Sequence, residues 1–328
     1  MKKILLSAVF LALGVTAWSQ QDPQWTQNMF NRLGVNAGVA GTGGVGTICG
    51  VGMFRQQNMG FAGNPQTMLF SVDGGFYAFR QQHGAGLTVW QDQLGAEKTL
   101  MLKGAYAWQK GLMGGKLGIG LEGGLMSKSI NNDWISTDDY HKDPSIPDNG
   151  TSDMAMDLGF GIYFQREDLY VGLSSTHLVP GKFEAKGSAT SSVAGAVDWA
   201  QEYAVARHLY VMAGYNYQIN PTMVLQPSVF IKTDPASPQF DINCNLEYNK
   251  MFWGGLSYRL QDAAAFLVGM DFVAVQPSLS GLKLGMAYDL TLSQLRNYSS
   301  GSVEIMLKYC KKITKEPKVQ RYKSVRFL

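Results

Sequence analysis

Few residues of this sequence have the types and spacing that catalysis requires. Only four histidines occur in the 328 residues. Two of them, His177 and His208, flank the segment 178–205, with Ser174 and Ser175 close to the first. A serine nucleophile needs a histidine base that a third group orients. No third group stands at a defined spacing from this pair, so the sequence predicts a protein that is not an enzyme.

The sequence gives equally little support for a metal, cofactor or phosphate site. Asp138 and Asp139 offer carboxylate oxygens for calcium, but their surroundings fit no calcium-binding loop. The glycine-rich stretch 41–46 lacks the Lys-Ser/Thr pair of a phosphate loop. No CxxC motif occurs, and an odd number of cysteines cannot form a closed disulfide framework. We therefore expect no cofactor and three isolated strand cysteines: Cys49, Cys244 and Cys310.

The first residues form a secretory signal peptide. Lys2 and Lys3 precede an apolar run over 4–15, and Ala17-Trp18-Ser19 supplies a cleavage box. The apolar run is too short for a membrane-spanning helix, which needs about 20 residues. No cysteine follows it, so a lipoprotein is not expected. We predict that residues 1–19 are removed on export and that the mature chain begins near Gln20.

The composition favours a membrane barrel. Charged residues make up 16% of the chain, below the roughly 25% of ordinary soluble domains. Glycine is abundant and the aromatic share is high, as in a lipid-facing sheet. After the signal peptide, no apolar run approaches the length of a transmembrane helix. The net charge of +3 is too small to indicate a nucleic-acid partner.

The elements that carry these residues are strands, because apolar side chains recur at every second position. The clearest alternation sets apolar residues at 282–292 against Lys283, Gly285 and Asp289. The pattern predicts an all-β fold: a transmembrane antiparallel β-barrel of about 14 strands across residues 45–311. The predicted strands are 45–54, 66–78, 84–92, 97–109, 115–130, 152–164, 168–177, 206–218, 222–233, 239–249, 251–260, 263–274, 279–292 and 302–311.

Two further patterns agree with membrane placement. The long connections at 131–151 and 178–205 fall on one side, which we expect to be extracellular, with both termini periplasmic. The charged strand residues all occupy the polar phase, which faces the lumen. These inward charges are Asp73, Lys103, Glu122, Asp157, Lys232, Asp241, Glu247, Arg259, Asp271, Lys283, Asp289, Glu304 and Lys308.

The competing fold is a secreted β-sandwich, whose strands also alternate between apolar and polar residues. A sandwich rarely needs so many consecutive hairpins.

Two segments lie outside the predicted wall. Residues 20–44 carry Trp25, Met29 and Phe30, which are costly to leave bare in a linker. We expect an ordered segment, either a periplasmic arm or a plug. Residues 312–328 form a basic tail, either solvated or docked to an acidic or peptidoglycan-associated partner. Its candidate docking residues are Lys315, Lys318, Arg321, Lys323 and Arg326.

Several motifs resemble the PorP/SprF outer-membrane proteins of the Bacteroidetes type IX secretion system. Residues 22–31, DPQWTQNMFN, look like the family's opening D-P-Q-F-S-Q-Y-M-F-N. Phe54-Arg55-Gln56-Gln57 with Gly60-Phe61 resembles its Y-R-x-Q-W-x-G-F block, although Asn58 replaces the tryptophan. Residues 301–305 and 326–328 also look similar to the corresponding residues of the family. The resemblance therefore spans the mature chain.

The resemblance implies a non-enzymatic component of the secretion or gliding machinery in the outer membrane. Such a barrel binds and anchors secreted surface proteins through their C-terminal sorting domain and contacts periplasmic machine components. The alternative is a passive or substrate-specific porin, which conductance would distinguish. Besides the basic tail residues, the partner-binding candidates are Trp25, Met29, Phe30, Arg55, Gln56 and Phe61.

Overall fold

A computed structural model describes residues 22–131, 151–191, 195–235, 237–274 and 279–313. The predicted signal peptide, the acidic residues around Asp138 and the candidate residues of the basic tail lie outside this part. No helix within the described ranges is long and apolar enough to cross a membrane.

Strands make up almost all of the regular structure in the described residues, together with short 3-10 turns at Ala37–Val39, Phe272–Ala274 and Gln294–Asn297. The strands are β1 (Thr47–Gln56), β2 (Gln66–Ala78), β3 (Gln81–Leu94), β4 (Glu97–Leu112), β5 (Gly115–Ile130), β6 (Thr151–Gln165), β7 (Leu169–Thr176), β8 (Lys182–Ser191), β9 (Gly195–Ala204), β10 (His208–Tyr215), β11 (Tyr217–Asn220), β12 (Met223–Thr233), β13 (Pro238–Tyr248), β14 (Phe252–Arg259), β15 (Ala263–Asp271), β16 (Leu282–Thr291) and β17 (Ser302–Lys312).

The sheet closes into a barrel because its first and last strands pair. β1 is antiparallel to β17, and every other neighbouring pair is antiparallel as well. β10 and β11 follow one another and both pair with β12, so together they occupy the position of one strand in the barrel. The result is a closed antiparallel barrel of 14 strands, which confirms the fold predicted from the alternation.

The structure adds detail that the strand pattern did not give. The predicted strand 206–218 is interrupted at Asn216, between β10 and β11. The long connection 178–205, predicted without regular structure, contains the β8–β9 hairpin as a separate two-stranded sheet. In a short polar segment without strong alternation, such a pairing depends on the turn and leaves little trace in the sequence.

The two faces of the wall separate as the period-two pattern requires. Along β16, Leu284, Met286 and Leu290 point outward and are exposed, whereas Ala287 and Asp289 are buried inside. A Lys or Arg on the outward face at the bilayer midplane would cost about 2–4 kcal/mol. The inward placement of the charges therefore suits a membrane wall.

The cysteine prediction was wrong for two of the three residues. Cys49 on β1 and Cys310 on β17 lie opposite each other at the barrel seam and form a disulfide, across a sequence separation of 261 residues. The prediction failed because it judged distance along the chain, whereas barrel closure makes the first and last strands neighbours. Cys244 is free and exposed.

The barrel has two unlike ends. The loop end carries the connections 57–65 and 292–301 and the one that contains β8 and β9, and the turn end carries tight turns such as 79–80 and 113–114. The described chain starts at the loop end, where Asp22 contacts His177 and His208. β17 ends at the turn end. The first and last described residues thus lie at opposite ends, because the chain runs through the lumen before it enters β1. The expectation that both termini are periplasmic stays a prediction, since the termini lie outside the described residues.

Candidate functional site: the occupied lumen

Residues 22–44, hereafter the lumen segment, run through the barrel from the loop end to the turn end. Trp25, Leu33 and Ala40 of this segment are buried. Of the two placements left open by the sequence, arm or plug, the described residues take the one inside the barrel. Polar side chains from around the wall bond to it, namely Arg55, Asp73, Lys103, Gln109, Tyr163, Ser174, Tyr210, Lys232, Asp241, Arg259, Asp289 and Glu304.

A buried ion cluster holds the segment at Thr26. Arg55 pairs with Asp289 at 2.7 Å and with Glu304 at 3.2 Å. The Glu304 carboxylate accepts the backbone N–H groups of Thr26 and Gln27, both at 2.8 Å. The Thr26 hydroxyl accepts from Arg55 and donates to Asp289. The wall charges thus neutralise one another, and neutral groups of the segment complete their hydrogen bonds, as buried ions require.

A second buried cation extends this cluster toward β13. Arg259 on β14 pairs with Asp241 at 3.1 Å and with Asp262 at 3.3 Å. It also lies 3.7 Å from Asp289. The side-chain amide of Asn28 donates to Asp241 at 3.4 Å. Strands on both sides of the β1–β17 seam therefore contact the same stretch of the lumen segment, Thr26 to Asn28.

At the turn end the segment touches the wall by backbone rather than by side chains. The backbone N–H of Gly41 donates to Asp73 at 2.8 Å, and the Gln109 amide donates to the carbonyl of Ala40 at 2.6 Å. A Cβ on the wall residue Gly84 would overlap that carbonyl of Ala40. Glycine is needed here because the two backbones approach so closely.

At the loop end the segment begins in a polar cluster. Asp22 accepts from His177 Nε2 at 2.9 Å and from the hydroxyl of Tyr210. The other ring nitrogen of His177 lies 3.0 Å from Asp157, and the backbone N–H of Asp22 meets His208 Nε2 at 3.3 Å. Burial opposes charge on both partners. Nevertheless His177 and His208 hold the pKa of Asp22 well below its usual range, and Asp22 and Asp157 raise the pKa of His177 to about 10.

Space remains between the segment and the wall near the turn end. A cavity of about 200 Å³ lies beside Phe30 and Trp253 and also touches Arg32, Lys283 and Lys308. Arg32 stacks on the ring of Tyr170 at 3.7 Å and donates to the hydroxyl of Tyr163. The cavity is therefore mixed in character, with aromatic surface on one side and cations on another.

The predicted site residues fall into three groups. Trp25, Met29 and Arg55 are buried inside the barrel, so in this state they make intramolecular contacts. Phe30 and Gln56 are half-buried, and Phe61 is exposed at the loop end. A partner-binding role for these residues stays a prediction. The basic residues of the tail lie outside the described part of the chain.

The histidine and serine residues at the rim do not form a nucleophile and base pair. Ser174 donates to the carbonyl of Val35 at 2.6 Å, and Ser175 donates to the carbonyl of His208 at 2.9 Å. His177 and His208 do come together, as their flanking positions indicated, with ring centroids 5.6 Å apart. Sequence reasoning missed Asp22 as their partner, because nothing in the local sequence places it there.

Comparison with solved structures supports the fold. The toluene transporter TbuX of Ralstonia pickettii is similar over 85% of this chain and 92% of its own, with 12% sequence identity and a TM-score of 0.51. The translocator domain of the autotransporter NalP from Neisseria meningitidis covers 87% and 94%, with 11% identity and a TM-score of 0.44. A Pseudomonas aeruginosa FadL homologue covers 82% and 89%, with 11% identity and a TM-score of 0.45.

At 12% identity the likeness to TbuX shows an outer-membrane β-barrel fold and nothing further. No individually curated protein sequence matches the chain. The sequence profile described as type IX secretion system membrane protein PorP/SprF matches residues 17–309, which includes the lumen segment and nearly the whole barrel. The chain therefore belongs to the PorP/SprF family of type IX secretion system membrane proteins.

Proposed function

We propose that this barrel is a non-enzymatic component of the type IX secretion or gliding machinery that binds and anchors secreted surface proteins through their C-terminal sorting domain. Family membership supports the machinery. The observation that carries the rest is the occupied lumen: the chain's own segment crosses the barrel, held by buried ion pairs at Thr26 and by backbone contact at Gly41. A lumen filled by the chain's own segment suits a rigid binding platform better than an open channel.

The loop end supplies the surface for a secreted partner. The connection 57–65 is tied to the one at 292–301, since Met59 donates to the carbonyl of Gly301 at 2.8 Å. Phe61 stands on this joined surface with 40% of its area exposed. An exposed aromatic on an ordered loop is the kind of anchor that protein interfaces use. Gln56, at the end of β1, borders the same surface.

The basic tail supplies a second contact on the opposite side. Lys315, Lys318, Arg321, Lys323 and Arg326 follow β17, which ends at the turn end. We place this end in the periplasm, where the tail would dock to an acidic or peptidoglycan-associated machine component. Truncation after Lys312 should leave the barrel assembled and remove periplasmic chains from the purified complex. Unchanged recovery of those chains would contradict the docking role.

The test of the anchor is affinity purification of the tagged protein from its native outer membrane, with co-purifying chains identified by mass spectrometry. We expect a surface protein with a type IX sorting domain together with periplasmic machine components. A matched purification of an unrelated tagged outer-membrane barrel is the control. Recovery of this barrel alone, from membranes in which the secreted proteins are abundant, would contradict the proposal.

A porin is the second candidate, and the cavity of about 200 Å³ beside Phe30 and Trp253 is the observation that favours it. The similar fold of TbuX, described as a toluene transporter, agrees with it only at the level of fold. The cavity would have to connect both ends of the barrel for solutes to pass. Solute-dependent conductance of the wild-type protein would favour the porin over the anchor.

A further inference from the structure

Three side chains with metal-binding atoms meet where the lumen segment begins. Asp22 belongs to the segment, His177 follows β7, and His208 opens β10. One oxygen or nitrogen from each lies within 4.8 Å of the others. Both histidines are buried and Asp22 is largely so. Two imidazoles and one carboxylate form the donor set of zinc sites that keep a further position open.

The two imidazole rings are already oriented for this role. His177 Nδ1 is 3.0 Å from Asp157, and His208 Nδ1 is 2.9 Å from the carbonyl of Ala206. These contacts turn both Nε2 atoms toward Asp22. Histidines that bind metals usually donate their other ring nitrogen to a carboxylate or a backbone carbonyl in this way. Tyr210 holds the second oxygen of Asp22 and fixes the carboxylate as well.

A simple ion pair between Asp22 and His177 needs only one imidazole. His208 Nε2 accepts the backbone N–H of Asp22 at 3.3 Å, which is a long hydrogen bond. The lone pair of His208 Nε2 therefore has a weak partner, beside the carboxylate that His177 contacts. A cation between the three groups would use all three donor atoms.

We propose that Asp22, His177 and His208 bind a divalent transition-metal ion of the zinc class, which ties the start of the lumen segment to the wall at β7 and β10. Tetrahedral zinc sets its ligand atoms about 3.3 Å apart. The three donor atoms lie within 4.8 Å of one another, so this spacing requires a displacement of at most about 1.5 Å between any two of them. The ion takes the place of the proton between His177 Nε2 and Asp22.

The donor set also selects the ion. Calcium and magnesium take oxygen ligands, and two of the three donors here are imidazole nitrogens. The remaining coordination position would hold water or a donor atom of a partner, since Asp22 is 19% exposed at the loop end. This inference does not depend on the proposed anchoring function, because it concerns how the segment is fastened.

The test is zinc binding to the full-length protein, purified in detergent with a tag that contains no histidine. Bound metal is first removed with a chelator and zinc is then added. We expect one zinc ion to bind per chain, and a large excess of magnesium should not compete with it. The double variant His177→Gln/His208→Gln should bind zinc at least about 100-fold more weakly. His83→Gln, which changes a histidine at the turn end, is the matched control and should bind as wild type does.

Cobalt binding to the wild-type protein keeps the test decisive if the double variant fails to fold. Co²⁺ in the proposed site should give the intense visible absorption of a four- or five-coordinate ion, and zinc should remove it. Absence of zinc uptake by the wild type, or a cobalt spectrum like that of the hydrated ion, would overturn the proposal. Equal zinc affinity of the double variant and the wild type would do the same.

Discussion

The guanidinium of Arg55 donates to Oδ2 of Asp289 at 2.7 Å, although the strands that carry these residues are separated by β17. Glu304 on β17 lies between them and completes the group. The exposed fractions of Arg55, Asp289 and Glu304 are 1%, 2% and 0%. Because Thr26 bonds to all three, this buried group of wall charges also fixes the lumen segment.

Removal of the Arg55 charge should therefore destabilise the protein strongly. Arg55→Met removes the cation that pairs with Asp289 and Glu304, and breaking a buried pair in this way costs about 3–5 kcal/mol. Unfolding in urea, followed by tryptophan fluorescence, measures the loss. Arg80→Met, at an exposed turn position, is the matched control and should change stability little. Equal effects of the two substitutions would show that the cluster contributes nothing specific.

A side chain at Gly84 should displace the lumen segment and leave the barrel wall intact. The Cβ of Gly84→Val would overlap the backbone of Ala40 and Gly41, which cannot move aside as a flexible side chain can. We expect faster proteolysis of the segment in the folded barrel. Gly52→Val is the control, since nothing lies within 4 Å of a Cβ there. Resistance of Gly84→Val equal to that of Gly52→Val would contradict the close contact.

Loss of the Cys49–Cys310 disulfide should lower stability without preventing closure. The bond joins the first and last strands, and removal of a disulfide usually costs about 2–5 kcal/mol. β1 and β17 remain paired by backbone hydrogen bonds along their length. Heat-induced unfolding of Cys49→Ser, read by the gel shift of the barrel, should begin at lower temperature than for Cys244→Ser. The same unfolding temperature for both would argue that the bond is absent in the protein.

Phe61 should contribute to partner binding and not to the barrel. Its side chain is 40% exposed at the loop end. Phe61→Ser should reduce co-purification of the secreted partner about tenfold or more, as expected for loss of an aromatic anchor. Phe79→Ser is the matched control, because Phe79 is 93% exposed at the turn end. If both variants retain the partner equally, another part of the loop end binds it.

The wall was predictable because its side chains face two different surroundings. Leu284 and Met286 alternate with Gly285 and Ala287, and in the structure the first pair is exposed while the second lies inward. Strands such as β13 and β16 carry this alternation in their own residues, so local sequence is sufficient to predict them. The inward phase of Asp289 and Glu304 followed from the same rule, and both are buried.

The contacts between distant residues were not predictable in the same way. Asp22 and His177 are 155 positions apart, and Cys49 and Cys310 are 261 apart. Their meeting depends on the path of the lumen segment and on the register at the barrel seam. Neither leaves a periodic trace in the sequence, because a single contact between two residues does not repeat.

One signal in the sequence did mark the path of the segment. Gly84, Gly118, Gly120 and Gly161 lie on the inner wall, where a Cβ would meet the backbone or side chains of Asn36 to Gly41. Glycines at inward strand positions indicate that another backbone approaches closely. The glycine content alone indicates a lipid-facing sheet, whereas the inward position of these glycines on their strands indicates the path of the segment.

Single-channel conductance in planar bilayers measures whether the chain's own segment closes the barrel. We expect no stable open steps for the wild-type protein and clear steps for Gly84→Val, in which the segment is displaced. Gly52→Val should stay closed like the wild type. Steps in the wild type as large as those of Gly84→Val would contradict the closed barrel and favour the porin.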